Sequence, residues 1–218
     1  NKRLLKLMCL SAAMLTATIA LPQAFAADIT TDVTAPQIVD GNQGTVNLNG
    51  NVAITVNGGY ALCAEGAKIG SSTIDGVLNV NSNGTKNVKI IGDIKTNASG
   101  KITLTLNNKD SYLAGNLIED GMGITLNLKN GSTWYVPVQA EDKYEVTTYS
   151  GLFSGTHINL DGGIVDLYHK TPTTVRATAA GTRTLSLDEY KRPAQQSAIN
   201  NATFVLSSDI ANNKADKV

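Results

Sequence analysis

The sequence predicts an all-β chain wound as a parallel β-helix, in which short strands stack coil upon coil. Three observations carry that expectation. Of 218 residues, 21 are Asn, 24 Thr and 20 Gly, a strand-and-turn composition in which helical stretches are scarce beyond the first thirty positions. Apolar residues alternate with Thr or Asn in short segments, the period-2 pattern of a strand with one buried face. The segments also repeat: Ile102, Thr103, Leu104, Leu106 and Asn108 recur 22 residues later as Ile124, Thr125, Leu126, Leu128 and Asn130. The same offset connects Ile90, Tyr112 and Trp134, and Val80 with Ile102. A unit this short cannot close a core alone, but piled units bury their inward Ile, Leu and Val against the coils on either side.

Taken in order, residues 1–26 read as a secretory signal peptide. Lys2, Arg3 and Lys6 precede an apolar run from Leu7 to Leu21, and Ala24-Phe25-Ala26 forms the small-residue site, placing cleavage between Ala26 and Ala27. A transmembrane helix is the competing reading, but the run falls short of the ~20 residues that span a bilayer. Cys9 would leave with the peptide. The remainder carries 15 Lys+Arg against 18 Asp+Glu and a single cysteine, Cys63, expected as a small buried hydrophobe. No internal disulfide is then possible, so packing and backbone pairing must supply the stability. Neither this remainder nor the whole chain, with 18 residues of each sign, has the basic surface that nucleic acid requires.

Residues 27–45, with Pro36 and few repeat features, are expected as an N-terminal cap. Residues 46–169 hold the coils, with weaker copies at Val46–Asn49, Val77–Val80 and Ile158–Leu167 around the 22-residue core of the repeat. Clusters such as Asn57-Gly58-Gly59, Asn81-Ser82-Asn83-Gly84 and Asp161-Gly162-Gly163 supply the turns. Residues 170–200 lose the period, gain charge and include Pro172 and Pro193, as a loop or linker excursion would. Thr203-Phe204-Val205-Leu206 then opens a resumed strand region, 201–218, which stops as though before further coils. Eight or nine coils at ~4.8 Å per strand would make a rod roughly 40 Å long. An antiparallel sandwich of hairpins is the alternative architecture.

The segment Ile102–Leu128, followed by Lys129-Asn130-Gly131-Ser132-Thr133-Trp134, resembles the coil repeats of pertactin-like autotransporter passenger domains. Ser111-Tyr112 and Thr133-Trp134 occupy that family's hydroxyl-aromatic pair, Thr156–Leu167 looks like another coil, and Thr203–Val218 is similar to the start of the last passenger coils. The resemblance covers roughly 74–168 and 203–218. It implies a right-handed parallel β-helix, truncated before its C-terminal coils, exported through the periplasm of a Gram-negative bacterium by the type V route. Display at the cell surface or outer membrane, or release outside the cell, would follow. The C-terminal translocator barrel that the family uses is expected in a full-length protein and does not occur in these 218 residues.

Catalytic signatures are sparse. No Gly-x-Ser-x-Gly elbow occurs, and Ser99, Ser150 and Ser154 precede glycines in ordinary turn contexts. Polysaccharide-cleaving β-helices need carboxylates on one coil face; Asp75, Asp93, Glu119-Asp120, Glu141-Asp142, and Asp161 with Asp166 are the candidates, all beside turn residues. His157 and His169 lie too far apart for a local metal pair, so neither metal nor cofactor is expected. The expected function is therefore structural and adhesive, without catalysis, towards a ligand on a host or neighbouring cell. Tyr60, Trp134, Tyr135 and Tyr144 are the expected contact aromatics, with Tyr112 beside them; packing between coils is the competing reading for Tyr112 and Trp134. A carbohydrate-active lyase or hydrolase is the alternative.

Overall fold

In the computed structural model, residues 26–120, 123–137, 143–146, 156–175, 184–187, 199–206, 208–209 and 214–215 are described. All regular structure among them is strand. The first layer is β1 (Ala26–Ile29) and β2 (Gln37–Val39), and the second is β3 (Thr45–Leu48) and β4 (Val52–Glu65). A hairpin of β5 (Ala67–Ile69) and β6 (Ser72–Ile74) follows, then a third layer of β7 (Val77–Val80) and β8 (Val88–Asn97). The fourth is β9 (Lys101–Leu106), β10 (Tyr112–Ala114) and β11 (Leu117–Asp120); the fifth is β12 (Gly123–Lys129) and β13 (Thr133–Tyr135). After β14 (Lys143–Val146) come the sixth layer, β15 (Thr156–Asp161) and β16 (Ile164–Asp166), and the hairpin β17 (His169–Thr171) and β18 (Thr174–Val175). Then follow β19 (Thr184–Leu187), the seventh layer of β20 (Ile199–Asn200) and β21 (Thr203–Val205), and a last hairpin of β22 (Ser208–Asp209) and β23 (Lys214–Ala215).

The chain visits two long sheets alternately. One has the order β1-β3-β7-β9-β12-β15-β20, the other β2-β4-β8-β10-β13-β16-β21 with β11 on β8, and every strand pair within both is parallel. An antiparallel sandwich is excluded. Seven layers are present among the described residues rather than eight or nine, so at ~4.8 Å per strand the first sheet is roughly 30 Å across. The shortfall comes from side excursions, which the uniform period did not anticipate. The β5–β6 hairpin stretches the step from Thr45 to its partner Val77, and β14 lies between Ile124 and its partner Thr156. Within the expected 170–200 excursion the described residues form strands: β17–β18 is a hairpin, and β19 pairs in parallel with β14. Residues 27–45, expected as a cap, contribute β1 and β2 and pair directly with the next layer.

Alternation builds the core. On the first sheet, Val46, Leu78, Ile102, Ile124 and Thr156 form one inward column. Leu48, Val80, Leu104, Leu126 and Ile158 form a second, and Leu106, Leu128 and Leu160 a third, which ends on the exposed Ile199. The second sheet opposes them with Ile54, Ile90, Leu113, Trp134, Val165 and Phe204. Most are at most 1% exposed and belong to one apolar cluster. Each fully buried Leu or Ile contributes about 1.5–3 kcal/mol relative to exposure.

The 22-residue offset holds for β9 on β12, where Ile102, Leu104 and Leu106 face Ile124, Leu126 and Leu128. Elsewhere the register differs from expectation. Ile90 pairs with Leu113, and Leu113 with Trp134, while Tyr112 lies between Lys89 and Thr133; Val80 pairs with Leu104, not Ile102. Corner serines repeat as Ser111 and Ser132, both fully buried, rather than as Ser111 and Thr133. Ser132 Oγ donates to the Leu106 carbonyl at 2.8 Å, and the Val88 N–H donates to Ser111 Oγ at 3.0 Å.

Outward positions of the first sheet carry amide ladders. Asn47 Nδ2 donates to Asp28 Oδ1 at 2.8 Å, and Asn79 Nδ2 to Asn47 Oδ1 at 2.9 Å. Further along, Asn127 Nδ2 donates to Thr105 Oγ1 at 3.1 Å and Asn159 Nδ2 to Asn127 Oδ1 at 2.9 Å. Like residues thus stack on like, and each of these bonds runs from a later layer to an earlier one. Asp28 dictates the sense of its ladder: a carboxylate only accepts, so Asn47 must present its NH2 to it, which leaves Oδ1 for Asn79.

The second sheet bends. Strand β4 pairs with β8 through Thr55–Ile91, has no partner over Val56 to Gly59, and resumes at Tyr60–Asp93. Gly92 sits at the bend with φ +139°, and a methyl on Gly115 one layer on would overlap the Gly92 carbonyl oxygen. Trp134 fills the inside of this corner, its Nε1–H donating to the Gly115 carbonyl at 3.0 Å.

Candidate functional site

The strongest side-chain cluster lies on the outer face of the second sheet, over β10, β13 and β16. Register places Tyr135 beside Asp166, with Ala114 on the other side, while Tyr112 stands next to Thr133. Tyr112 and Tyr135 meet edge to face, with centroids 5.9 Å apart. Immediately after β16 the chain folds back. Asp166 Oδ1 accepts the backbone N–H groups of Tyr168 and His169, each at 2.7 Å, and Oδ2 lies 2.7 Å from His169 Nδ1. That Asx-type turn carries the His169 ring against Tyr168 and Tyr135, at 4.8 and 6.5 Å between centroids.

Asp166 has the outward parity of Tyr135 yet is only 4% exposed, because its own turn covers it. Its three contacts replace the water it loses. Burial pushes the Tyr112 phenol above its usual range. Burial also raises Tyr135; Thr133 hydrogen-bonds to its phenol and opposes the shift, while Asp166 and Tyr112 add to it. The cluster is thus a half-buried aromatic patch with the His169 ring held at one end. His169 is an oriented imidazole whose contacts are a carboxylate and two phenol rings.

A second group sits beyond the bend. Lys95 Nζ lies 5.3 Å from the centre of the Tyr60 ring and 3.3 Å from Asp120 Oδ2. Burial works against its charge, but Asp120 and Tyr60 outweigh that and hold the ammonium above the ordinary lysine range.

The expected contact aromatics therefore divide. Tyr60 and Tyr135 reach the surface in part. Trp134 does not: it is 0% exposed and belongs to the core, because the one-residue shift of register turns it inward while Tyr112 points out. Tyr144 lies in β14, outside the residues whose side chains are described. Ala26 and Ala27, the expected cleavage pair, lie in β1 opposite Thr45 and Val46, and the rest of the expected signal peptide lies outside the described residues.

The candidate carboxylates are dispersed among structural partners. Asp75 bonds Lys101 at 2.5 Å, Asp93 Oδ1 accepts the backbone N–H and Nδ2 of Asn116 at 2.8 and 2.9 Å, and Asp161 accepts from Asn200 at 3.0 Å. Glu141-Asp142, Ser150 and Ser154 lie outside the described residues. Ser99 Oγ bonds the Ile74 carbonyl at 3.3 Å. His157 sits on β15 opposite Thr125, and Cys63 is fully buried as expected, its Sγ 3.9 Å from Glu65 Oε1. Among the described residues no group of three or more His, Cys, Asp or Glu is placed to hold a metal, and no helix is long and apolar enough to cross a membrane.

The pairing of Asp166 with His169 was missed because each was weighed with the wrong neighbour, Asp166 with Asp161 and His169 with His157. A readable signal existed: an Asp ending a strand, followed three residues later by His, is a turn that brings the two together. No protein-family model matches the chain, and neither does any curated protein or solved structure.

Proposed function

We propose that this chain is part of an autotransporter passenger domain, a right-handed parallel β-helix exported through the periplasm and displayed at the cell surface as a structural and adhesive rod without catalysis. Its partners in this reading are a ligand on a host or neighbouring cell and the translocator barrel of the full-length protein. The supporting observation is the pairing order: both sheets run in strict sequence order with parallel neighbours, so each circuit of the chain advances one strand spacing, as in a solenoid. The adhesive half of the reading rests on the Tyr112–Tyr135–His169 patch. Aromatic side chains concentrate binding energy at contact surfaces, and these rings pack edge to face against one another.

The test uses the purified chain immobilised on beads and the Tyr112→Ala/Tyr135→Ala double variant, applied to cultured cell layers under flow. Retention is expected to fall roughly tenfold or more in the variant, with its far-ultraviolet ellipticity unchanged. Equal retention of the two proteins would remove the adhesive assignment. Release of reducing ends from a polysaccharide panel by the wild-type chain would replace it with a carbohydrate-active one.

A further inference from the structure

We propose that Asn57 is a site of spontaneous deamidation, the chain supplying both the attacking nitrogen and the leaving group and water completing the reaction. The Gly58 backbone nitrogen attacks Asn57 Cγ and loses its proton to solvent. A C–N bond forms, the Cγ–Nδ2 bond breaks, and Nδ2 takes up a proton from solvent and leaves as ammonia. Water then opens the resulting five-membered imide at either carbonyl, giving aspartate or its β-linked isomer. Electrons and atoms balance without an oxidant or cofactor.

The reaction is fastest where the residue after the asparagine has no Cβ and the backbone can turn freely about it. The chain holds four Asn-Gly pairs, at 49–50, 57–58, 83–84 and 130–131, and the fold restrains three of them. The Asn49 N–H donates to the Ile29 carbonyl at 2.7 Å, and Gly50 is buried with its α-carbon backed against the Thr31 carbonyl. The Gly84 N–H donates to the Asn81 carbonyl at 2.8 Å, and its own carbonyl accepts from Asn107 Nδ2 at 2.8 Å. At the fourth pair both reacting groups are engaged: Asn130 Nδ2 donates to Asn107 Oδ1 at 2.9 Å, and the Gly131 N–H to the Gly162 carbonyl at 2.7 Å.

Asn57-Gly58 differs on every count. It falls in the stretch of β4 where pairing with β8 lapses between Thr55 and Tyr60, so neither residue has a register partner. Asn57, Gly58 and Gly59 are all exposed, and the space beside the Gly58 α-carbon is open to 4 Å. The β-linked product adds one backbone carbon, which an unpaired bulge absorbs and a ladder strand does not. The product places a new carboxylate on the bulge that leads into Tyr60.

The experiment incubates the full chain at mildly alkaline pH, folded and in urea, and follows each Asn-Gly peptide by mass spectrometry. In urea the four pairs are expected to react at similar rates. In the folded protein Asn57 is expected to keep its rate while the other three slow roughly tenfold or more, since they react only through local opening. Asn57→Gln, an exposed change, should abolish the main acidic charge variant and leave the fold intact. Protection of Asn57 in the folded chain equal to that of Asn130, or reaction at Asn83 as fast as at Asn57, would overturn the assignment.

Discussion

Replacing Trp134 with Ala tests whether the inward columns hold the layers together. The indole is fully buried between Leu113 and Val165, and it is the largest side chain of the core. Truncation to Ala removes its buried surface and leaves a cavity, at a cost of about 3–5 kcal/mol. It also deprives the Gly115 carbonyl of its 3.0 Å donor, for about 1–3 kcal/mol more where water cannot enter. A loss of about 4 kcal/mol or more is a large share of the 5–15 kcal/mol that a typical domain has. Trp134→Phe helps to separate the two contributions, since it keeps most of the apolar bulk while losing the donor, whose loss costs about 1–3 kcal/mol. Urea unfolding followed by far-ultraviolet ellipticity is the assay, because Trp134 is the chain's single tryptophan and the variants lack its fluorescence. A loss below about 1 kcal/mol for the Ala variant, or equal losses for Phe and Ala, would refute the reasoning.

Asn127→Ala should cost about 1–2 kcal/mol by breaking the ladder on both sides, whereas Asn127→Asp, which still accepts from Asn159 and can take a proton donor from Thr105, should cost less; thermal midpoints compare them. Pro137→Ala should raise the urea midpoint. Asn116 Oδ1 is buried without a partner, and the Ala114–Tyr135 register puts Pro137, which has no N–H, where the next layer's donor would stand. The gain of about 1–3 kcal/mol from satisfying that oxygen exceeds the ~0.4–1 kcal/mol lost with the proline ring; a lower midpoint would disprove it. Lys95, Tyr112 and Tyr135 all hold their protons more tightly when folded than when unfolded. Their contribution is complete at neutral pH and is lost as pH climbs past the ordinary lysine and tyrosine values, from about pH 10 upward. Unfolding midpoints taken at about pH 8 and about pH 11 should diverge for the wild type and less so for Lys95→Met/Tyr112→Phe/Tyr135→Phe; identical divergence would contradict the assignment.

Much of the fold was legible because parallel layering places like residues on like. Ile102, Leu104 and Leu106 could be laid over Ile124, Leu126 and Leu128 without knowing any contact. The reading slipped where layers differ in length by one residue, since a shift of one exchanges the two faces of a strand. Tyr112 and Trp134 illustrate it: an aromatic ring suits either face, so the residue type gave no warning that one is core and the other surface. The β5–β6 hairpin was illegible for another reason. Its residues contribute nothing to the inward columns, so the repeat is interrupted there without leaving a trace in the hydrophobic pattern. The outer cluster was only half legible, because its members come from three layers and Asp166 is buried by its own turn rather than by its strand.

The common direction of the ladder bonds has an electrostatic corollary. Each asparagine carboxamide is a small dipole, and in a column they add head to tail, with N–H poles towards the amino-terminal layers and oxygen poles towards the carboxy-terminal ones. A lone partial positive charge is left at the amino-terminal foot of each column. Asp28 stands at the foot of the Asn47–Asn79 column, and the single amides of Asn51, Asn116 and Asn200 point the same way at Asp32, Asp93 and Asp161, whereas the Asn127–Asn159 column ends on the Thr105 hydroxyl. Anions at the N–H end of aligned amides are the arrangement that also favours acidic residues at the start of an α-helix. Here side chains rather than backbone build the field, so swapping Asp28 for lysine would set like poles against each other at the foot of the Asn47–Asn79 column.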